Sequence, residues 1–303
     1  MYKIRNLKRN VVASYVRSLG NSFFIYVLVV ETLSLEQNFK FYVKEAFKMS
    51  SWDSKQYLKF SKERTQPAID LANRIEINPQ SIIDIGCGPG NSTAVLAGKF
   101  PNAKILGIDN SENMIISAKK NYPNIEFMLC DAENGFADIE RKFDVVFSNA
   151  CIQWIPNHEK LLNNMMSLLN KDGILAIQTP MNYEEPIHKI IVKVTKGDKW
   201  KDKFPNPRIF YNLMPSEYYD ILSDISADFS MWTTTYFHRM KSHNDIMEWY
   251  RGTGLRPYIS VLNENDKLEF EKDILEEVIK AYPKQKNGEI IFRFPRFFFI
   301  ARK

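Results

Sequence analysis

The chain of 303 residues is 45% hydrophobic and 25% charged, as ordinary globular proteins are, and it is long enough for one large or two small domains. Its net charge of +5 comes entirely from residues 1–48, where eight Lys and Arg face three Glu. The remainder is balanced and lacks the basic excess of a nucleic-acid enzyme, so we expect no nucleic-acid partner. Three cysteines without a C-x-x-C pair exclude a disulfide framework and favour the cytoplasm, and four histidines without ligand spacing predict no metal.

Residues 1–48 differ in character from the rest of the chain. An apolar run at 23–30 is much shorter than the ~20 residues that cross a bilayer, so we expect no membrane span. A basic start and an apolar middle suit a signal peptide, but the basic region is too long and no small-residue cleavage site follows. We therefore interpret these residues as an N-terminal extension, either an extra helix or a leader.

A glycine-rich turn dominates the next part of the chain, in the stretch SIIDIGCGPGN at 81–91. Its apolar start is typical of a buried strand, and the alternating glycines let the backbone turn sharply and approach a ligand closely. Asp84 lies at the mouth of this turn. Asp109 ends the next predicted strand about 20 residues later, the spacing that binds a ribose hydroxyl. A dinucleotide motif would have its third glycine where Asn91 stands, so the pattern predicts a nucleoside cofactor other than a dinucleotide.

Strand and helix patterns alternate from 81 to 179, which predicts a parallel, doubly wound α/β sheet. The predicted strands cover 82–85, 103–109, 125–131, 144–150 and 174–179. Ligands of such sheets bind at the carboxyl ends of the strands, where Asp84, Asp109, Asp131 and Asn149 lie. A single acid at such a position is more often a turn former. Four polar residues at successive strand ends indicate a binding site.

Segments on both sides of the sheet complete the predicted fold. Ahead of it, Pro67 suits the first turn of a helix at 68–74. Arg64 and the aromatic residues Trp52, Tyr57 and Phe60 form either a packed arm or a lid over the cofactor. We expect a helical cap, formed by 181–227 and 241–283, over the strand ends. The other predicted elements are helices at 157–169, 184–195, 215–225, 244–250 and 264–282, a charged connection at 197–211, and strands at 230–240 and 290–302, the last with a proline bulge.

Several blocks of this sequence resemble known methyltransferases. DIGCGPGN at 84–91 is similar to motif I of the class I S-adenosylmethionine (SAM) methyltransferases. The resemblance to the trans-aconitate 2-methyltransferase family covers residues 49–303 and leaves 1–48 outside. It implies a Rossmann-like methyltransferase domain with a mostly parallel, seven-stranded sheet. The blocks that carry it are MSSWD (49–53), NACIQWIPNH (149–158), WTTTYFH (232–238), GTGLRP (252–257) and FPRFFFIAR (294–302).

The resemblance and the strand ends together imply that SAM is the cofactor and S-adenosylhomocysteine (SAH) the product. Trp154 follows the fourth predicted strand, where it either shields the cofactor or fills the core. The expected cofactor-binding residues are Asp84, Gly86, Cys87, Gly88, Gly90, Asn91, Asp109, Asn110, Met114, Asp131, Ala132, Asn149, Ala150 and Trp154.

The family further implies methyl transfer to a carboxylate of a small molecule, trans-aconitate, to give a monomethyl ester. A carboxylate is ionised at pH 7, so in-line positioning suffices and no general base is required. Holding a tricarboxylate calls for arginines, which pair with carboxylates in a bidentate manner. A single arginine, however, is more often a surface ion pair. The candidates are Arg256 as the first choice, then Arg64 and Arg296, with His238 and Tyr236 as hydrogen-bond donors and Arg251 and Arg293 as weaker choices.

Two other functions stay open. One is methylation of another small or carrier-bound carboxylate. The other is a SAM-binding regulatory or interaction protein without catalysis, in which residues 1–48 contact a membrane or a partner. The sequence NACI at 149–152 argues against methylation of a base amine, since such enzymes often carry NPPY or DPPY there. We expect a cytoplasmic monomer.

Overall fold

The computed structural model describes residues 60–204 and 210–303, apart from the side chains of residues 61 and 62. The predicted extension at 1–48, the aromatic residues Trp52 and Tyr57, and residues 205–209 of the charged connection lie outside the described residues.

Helices and strands alternate through the first half of the described chain, and the later helices lie between the last three strands. The strands are β1 (Ser81–Ile85), β2 (Lys104–Asp109), β3 (Glu126–Leu129), β4 (Phe143–Asn149), β5 (Leu169–Pro180), β6 (Asp228–Met240) and β7 (Ile290–Arg302). The α-helices are α1 (Ser61–Asn73), α2 (Asn91–Lys99), α3 (Glu112–Asn121), α4 (His158–Ser167), α5 (Pro186–Lys196), α6 (Pro215–Ile225), α7 (His243–Arg251), α8 (Arg256–Ile259) and α9 (Glu264–Ala281), with short 3-10 turns at Ile152–Trp154 and Lys201–Lys203.

Within the described residues the strands form one seven-stranded sheet in the order β3-β2-β1-β4-β5-β7-β6. The pairs among β1 to β5 are parallel, whereas β7 runs antiparallel to both β5 and β6. The strand order reverses between β1 and β4, and ligands of open α/β sheets bind in the crevice at such a point. The predicted doubly wound, mostly parallel fold is confirmed.

β1 lies near the centre of the sheet and is buried on both faces. Ile83 and Ile85 join one hydrophobic cluster and Ile82 joins another, because successive side chains of a strand point to opposite faces. Helices cover both faces, which explains why this strand is almost wholly apolar. Asp84 is the exception. It is fully buried, and its hydrogen bonds at the active site, described below, account for an acidic residue in this apolar strand.

The cap has a hydrophobic cluster of its own. Trp249 of α7, Phe270 of α9 and Phe292 of β7 are buried in it, together with residues of α5. α6 lies in the range predicted for the cap, but its residues Tyr218 and Leu222 are buried in a cluster of the sheet. In the described chain the cap therefore consists of α5 and α7–α9.

Two local predictions are wrong. Pro67 lies inside α1 rather than in its first turn, because the helix already begins at Ser61 and includes the good helix formers Glu63 and Arg64. β7 passes through Pro295 without a bulge and stays in register with β6 throughout. Its ladder with β5 ends at Arg296, so Pro295, which has no N–H, needs no donor on that side.

Candidate active site

The glycine-rich turn after β1 folds back onto the end of β2. The backbone N–H groups of Gly86 and Cys87 both donate to the carbonyl oxygen of Ile108, at 2.8 and 2.9 Å. Gly86 has a φ of +75°, and a Cβ there would lie 2.2 Å from Cys151 Sγ. Gly88 has a φ of +54°, but no atom of the described chain lies within 4 Å of an added Cβ. The open space beside Gly88 allows a ligand to approach the backbone.

Asp84 is buried behind this turn with one oxygen satisfied and one not. Its Oδ2 accepts hydrogen bonds from Ser92 Oγ at 2.6 Å and Thr93 Oγ1 at 2.7 Å, both at the start of α2. Its Oδ1 has no hydrogen-bond partner among the described residues. Burial raises the pKa of Asp84 to about 6, although the two hydroxyl groups lower it. A buried, unsatisfied acceptor of this kind is costly unless a ligand supplies a donor.

Asp109 directs its carboxylate to the same turn. Its Oδ2 accepts from the Gly88 N–H at 3.0 Å and its Oδ1 accepts from the Ser111 N–H at 2.9 Å. Each carboxylate oxygen accepts about two hydrogen bonds, so both retain capacity for a ribose hydroxyl. Burial raises the pKa of Asp109 despite the two backbone hydrogen bonds.

The end of β4 lies beside these acids. Asn149 Oδ1 is buried and has no hydrogen-bond partner among the described residues. Ala150 has a φ of +56°, a left-handed conformation that is unfavourable for alanine. Backbone strain of this kind collects at binding sites, where the surrounding structure maintains it. Trp154, on the 3-10 turn that follows, is half-buried and packs on Phe210 with 4.7 Å between ring centroids.

The remaining residues expected at the cofactor differ in how well they are placed. Asp131 already uses its carboxylate in a local turn, where it accepts from Glu133 N–H at 3.1 Å and Asn134 Nδ2 at 2.8 Å. Asn110 is exposed. Cys87, Gly90, Met114 and Ala132 are buried, and Asn91 is the first residue of α2.

These features fit SAM as the cofactor. Gly88 leaves room for close approach, and Asp109 offers acceptors for a ribose. The unpartnered oxygens of Asp84 and Asn149 suit a group that donates hydrogen bonds, as the ammonium of an amino acid does.

A cavity of about 130 Å³ continues from the end of β4 towards the cap. Its walls are mainly apolar and aromatic, with a few convergent polar groups, which is usual for a small-molecule site. The lining residues are Arg64, Asn149, Ala150, Gln153, Trp154, Pro180, Asn182, His188, Phe210, Trp249, Tyr250, Thr253, Gly254, Phe294 and Arg296.

Two of the predicted arginines line this cavity, and both are buried. Arg64 is 8% exposed; its guanidinium lies 5.1 Å from the centroid of the Trp249 ring, and its Nη2 donates to Trp249 O at 3.1 Å. Arg296 is 5% exposed, with its guanidinium 4.3 Å from the centroid of the Phe294 ring. Arginine tolerates such stacking because its planar group is weakly hydrated.

The other predicted substrate residues do not line the cavity. Arg256, the first choice from the sequence, begins the short helix α8 and is half-buried; burial lowers its pKa. Tyr236 donates its hydroxyl hydrogen to Asp70 Oδ2 of α1. His238 stacks on Tyr236 and packs against Trp249, and burial lowers its pKa to about 4.

The two weaker choices form ion pairs. Arg251 makes a bidentate pair with Glu271, at 2.7 and 3.0 Å. Arg293 lies 3.6 Å from Glu185. Both arginines therefore form the structural ion pairs that are usual for a single arginine.

His188, Asn182 and Tyr250 are among the cavity residues that were not anticipated from the sequence. His188 Nε2 is buried without a hydrogen-bond partner among the described residues, and burial lowers its pKa to about 4. Asn182 Nδ2 donates to Tyr250 Oη at 3.1 Å. A single histidine on an amphipathic helix carries no local signal, so only the tertiary structure brings it to the site.

Comparison of the sequence with known proteins shows the family of this chain. A model of the methyltransferase domain matches residues 79–242. The trans-aconitate 2-methyltransferase of Escherichia coli O139:H28 is 40% identical over 256 residues, which cover 84% of this chain and 99% of that protein. The chain belongs to the trans-aconitate 2-methyltransferase family. The family member of Enterobacter sp. strain 638 is 40% identical over 258 residues, with the same coverage of 84% and 99%.

Solved structures show the same fold at lower similarity. The YcgJ protein of Bacillus subtilis is 16% identical with a TM-score of 0.54, and the alignment covers 78% of this chain and 98% of that one. A putative methyltransferase of Bacillus halodurans is also 16% identical, with a TM-score of 0.51 and coverage of 80% and 99%. The predictions of this family, of a SAM-dependent methyltransferase and of SAM as its cofactor are confirmed. Among the described residues, no helix is both long and apolar enough to cross a membrane.

Proposed function

We propose that this trans-aconitate 2-methyltransferase family member methylates one carboxylate of trans-aconitate, giving a monomethyl ester and SAH. The observation that carries the proposal is the burial of Arg64 and Arg296 in one cavity that begins at the end of β4. Two guanidinium groups that line one aromatic-walled cavity suit a ligand with at least two negative charges, because arginine binds carboxylates in a planar, bidentate manner.

Different residues at the strand ends would bind different groups of the cofactor. SAM, when bound, supplies an electrophilic methyl group on a positively charged sulfur. Asp109 would accept hydrogen bonds from its ribose hydroxyls, and Gly88 would admit its close approach. Asp84 and Asn149 would accept from its ammonium. The other residues assigned to this site are Gly86, Cys87, Gly90, Asn91, Asn110, Met114, Asp131, Ala132, Ala150 and Trp154.

The protein contributes position and charge rather than a base. A carboxylate with a pKa near 4 is ionised at neutral pH, so no proton has to be removed before it reacts. Arg64 and Arg296 would fix the acid by its non-reacting carboxylates, and the aromatic walls would exclude water. Holding two reactants in line can lower a barrier by about 7–11 kcal/mol.

The proposal also covers the domain organisation, the cellular compartment with the oligomeric state, and the kind of partner. Residues 49–303 form the methyltransferase domain, with α5 and α7–α9 as its cap, and residues 1–48 form an extension outside it. The enzyme is a monomer in the cytoplasm; its three cysteines without a C-x-x-C pair favour a reducing compartment. Its partner is a small carboxylate rather than a nucleic acid, because the charge of residues 49–303 is balanced.

An acceptor screen tests the proposed function. Protein with residues 1–303 and with residues 49–303 is incubated with methyl-labelled SAM and a panel of di- and tricarboxylates and carrier-bound carboxylates. We expect a base-labile methyl ester of trans-aconitate from both chains. Preference for another acid in the panel would replace the substrate. A chain that binds SAH in calorimetry but methylates nothing would instead support a SAM-binding regulatory protein.

A further inference from the structure

His188 brings an uncharged hydrogen-bonding group into the cavity that contains the two arginines. It is the third residue of α5, and its Nε2 is buried without a partner among the described residues. The rings of Phe210 and Tyr250 pack against the imidazole in T-shaped arrangements, with 5.7 and 5.4 Å between centroids. The ring is therefore oriented before any ligand binds, and Nε2 is a buried polar atom to which a ligand in the cavity can supply a partner.

Burial lowers the pKa of His188 to about 4, so the imidazole is neutral at pH 7. A neutral imidazole carries one N–H, and a carboxylate can only accept a hydrogen bond. An acid in this cavity would select the tautomer with hydrogen on Nε2. His188 is in this respect unlike Arg64 and Arg296, which keep their positive charge.

Two sets of ring contacts line the cavity. In the uncharged set, Trp154 on the 3-10 turn after β4 packs on Phe210, and Phe210 packs on His188. In the set that contains the charges, the two arginines stack on Trp249 and Phe294, whose centroids are 5.5 Å apart. The row of three rings that ends at His188 starts at the strand end that belongs to the cofactor crevice.

This division matches the charge that the reaction removes. One carboxylate oxygen supplies the electron pair for the new bond to the methyl carbon, the carbon–sulfur bond breaks with its electrons going to sulfur, and no proton is transferred. A tricarboxylate thus changes from a trianion to a dianion. A cation at the reacting oxygen would stabilise the charged reactant more than the transition state and slow the step, whereas a neutral donor orients the oxygen with less of this effect.

We propose that His188 orients the carboxylate that receives the methyl group, while Arg64 and Arg296 bind the two carboxylates that keep their charge. This inference rests on the proposed function. It makes His188 a positioning residue that determines which of three carboxylates reacts, and it explains why two cations suffice for a substrate with three negative charges.

The test compares His188→Phe, which keeps the ring packing but has no donor, with His188→Gln, which keeps a neutral N–H. For His188→Phe we expect kcat to fall about 10- to 100-fold, the worth of about one hydrogen bond in the transition state, and KM for trans-aconitate to change less than about threefold. Nuclear magnetic resonance of the product should show a mixture of ester isomers in place of one. His188→Gln should restore the single ester and at least part of kcat.

His243→Gln is the matched control, because His243 Nε2 binds Tyr282 O at 2.8 Å away from the cavity and the change should leave kcat and product unaltered. An unchanged kcat in His188→Phe, or a rise in KM alone with one ester isomer, would overturn the proposal while parent activity upholds the proposed function. If His188→Phe fails to fold or to bind SAH, His188→Gln decides: mixed esters from that variant would also overturn it. A parent enzyme that forms no ester would overturn the proposed function instead.

Discussion

Asp109 accepts a 3.0 Å hydrogen bond from the backbone N–H of Gly88 through its Oδ2. This bond connects the end of β2 to the glycine turn after β1, so the acid that would bind a ribose and the glycine that admits the ligand are positioned together. Because Oδ1 is held by Ser111 N–H at 2.9 Å, the carboxylate has a single orientation before the cofactor arrives.

Asp109→Asn should weaken SAH binding and also lower the melting temperature, because its amide nitrogen would face one of the two backbone N–H groups that donate to the carboxylate. The amide replaces one charged acceptor by a donor, and loss of a charged hydrogen bond of about 1.5–3 kcal/mol lowers affinity about 10- to 100-fold. Isothermal calorimetry with SAH measures this. Asp172→Asn is the control, since Asp172 has a φ of +62° that asparagine tolerates and lies near the opposite end of the sheet. Equal affinity of both variants would contradict the role of Asp109.

Two glycines of the same turn should respond to alanine in opposite ways. Gly86→Ala places a Cβ 2.2 Å from Cys151 Sγ and should lower the melting temperature strongly. Gly88→Ala meets no atom of the described chain within 4 Å and costs only about 1–2 kcal/mol of backbone strain. It should therefore stay folded but lose SAH affinity, because the methyl group occupies the ligand's space. Thermal denaturation and calorimetry on both variants separate the two effects, and normal SAH binding by Gly88→Ala would contradict this account.

Asp84 should make the free energy of unfolding depend on pH. Its pKa of about 6 in the folded chain lies above the ordinary carboxyl value of about 4, so the folded state holds the proton more tightly. Its contribution is fully present below about pH 4, declines as the pH rises to about 6, and stays low above that, a loss on the order of 3 kcal/mol.

Asp84→Asn cannot ionise and should lack this decline. Urea denaturation of parent and variant at pH 4, 5 and 7 gives the difference in free energy of unfolding, in which the other carboxyl groups cancel. The parent should lose stability relative to the variant between pH 4 and 7. A difference that does not vary with pH would show that burial does not raise the pKa of Asp84.

Arg64→Lys and Arg296→Lys should each raise KM for trans-aconitate about 10- to 100-fold and leave SAH affinity unchanged. Lysine keeps the charge but loses the planar, bidentate geometry and the stacking on Trp249 or Phe294. Initial rates at saturating SAM measure the effect. Arg239→Lys serves as control, because Arg239 pairs with Glu289 on the surface at 2.8 and 2.9 Å, and its KM should stay within about threefold of the parent. If all three variants behave alike, the cavity is not the acceptor site.

The residues assigned to the cofactor carry local signals in the sequence. The turn at Gly86 and Gly88 and the acid at Asp109 are read from spacing alone, and parallel strands bring their carboxyl ends to one edge. The acceptor side depends on tertiary packing between distant segments. His188 belongs to an amphipathic helix, and nothing in the local sequence distinguishes it as a cavity residue. Arg64 lies in α1, which begins at Ser61, earlier than the sequence predicts.

The block GTGLRP, on which the choice of Arg256 depends, contributes Thr253 and Gly254 to the cavity lining, whereas Arg256 lies outside that lining. Gly254 packs tightly against Tyr250, whereas Gly252 has ordinary space beside Arg64. A Cβ at Gly254 would lie 2.7 Å from Tyr250 Cδ1, and one at Gly252 would lie 3.5 Å from Arg64 Nη2. Of these two glycines, Gly254 is the one whose place leaves no room for a Cβ.

β7 belongs to two cores at once, since Phe292 and Phe294 are buried in the cap and Phe298 and Phe299 in the sheet. Arg296 lies between these two halves of a continuous strand of 13 residues. An outward rotation of the whole cap would therefore have to break hydrogen bonds between β7 and its neighbours β5 and β6. Backbone amides along this strand should exchange with deuterium as one slow cooperative unit.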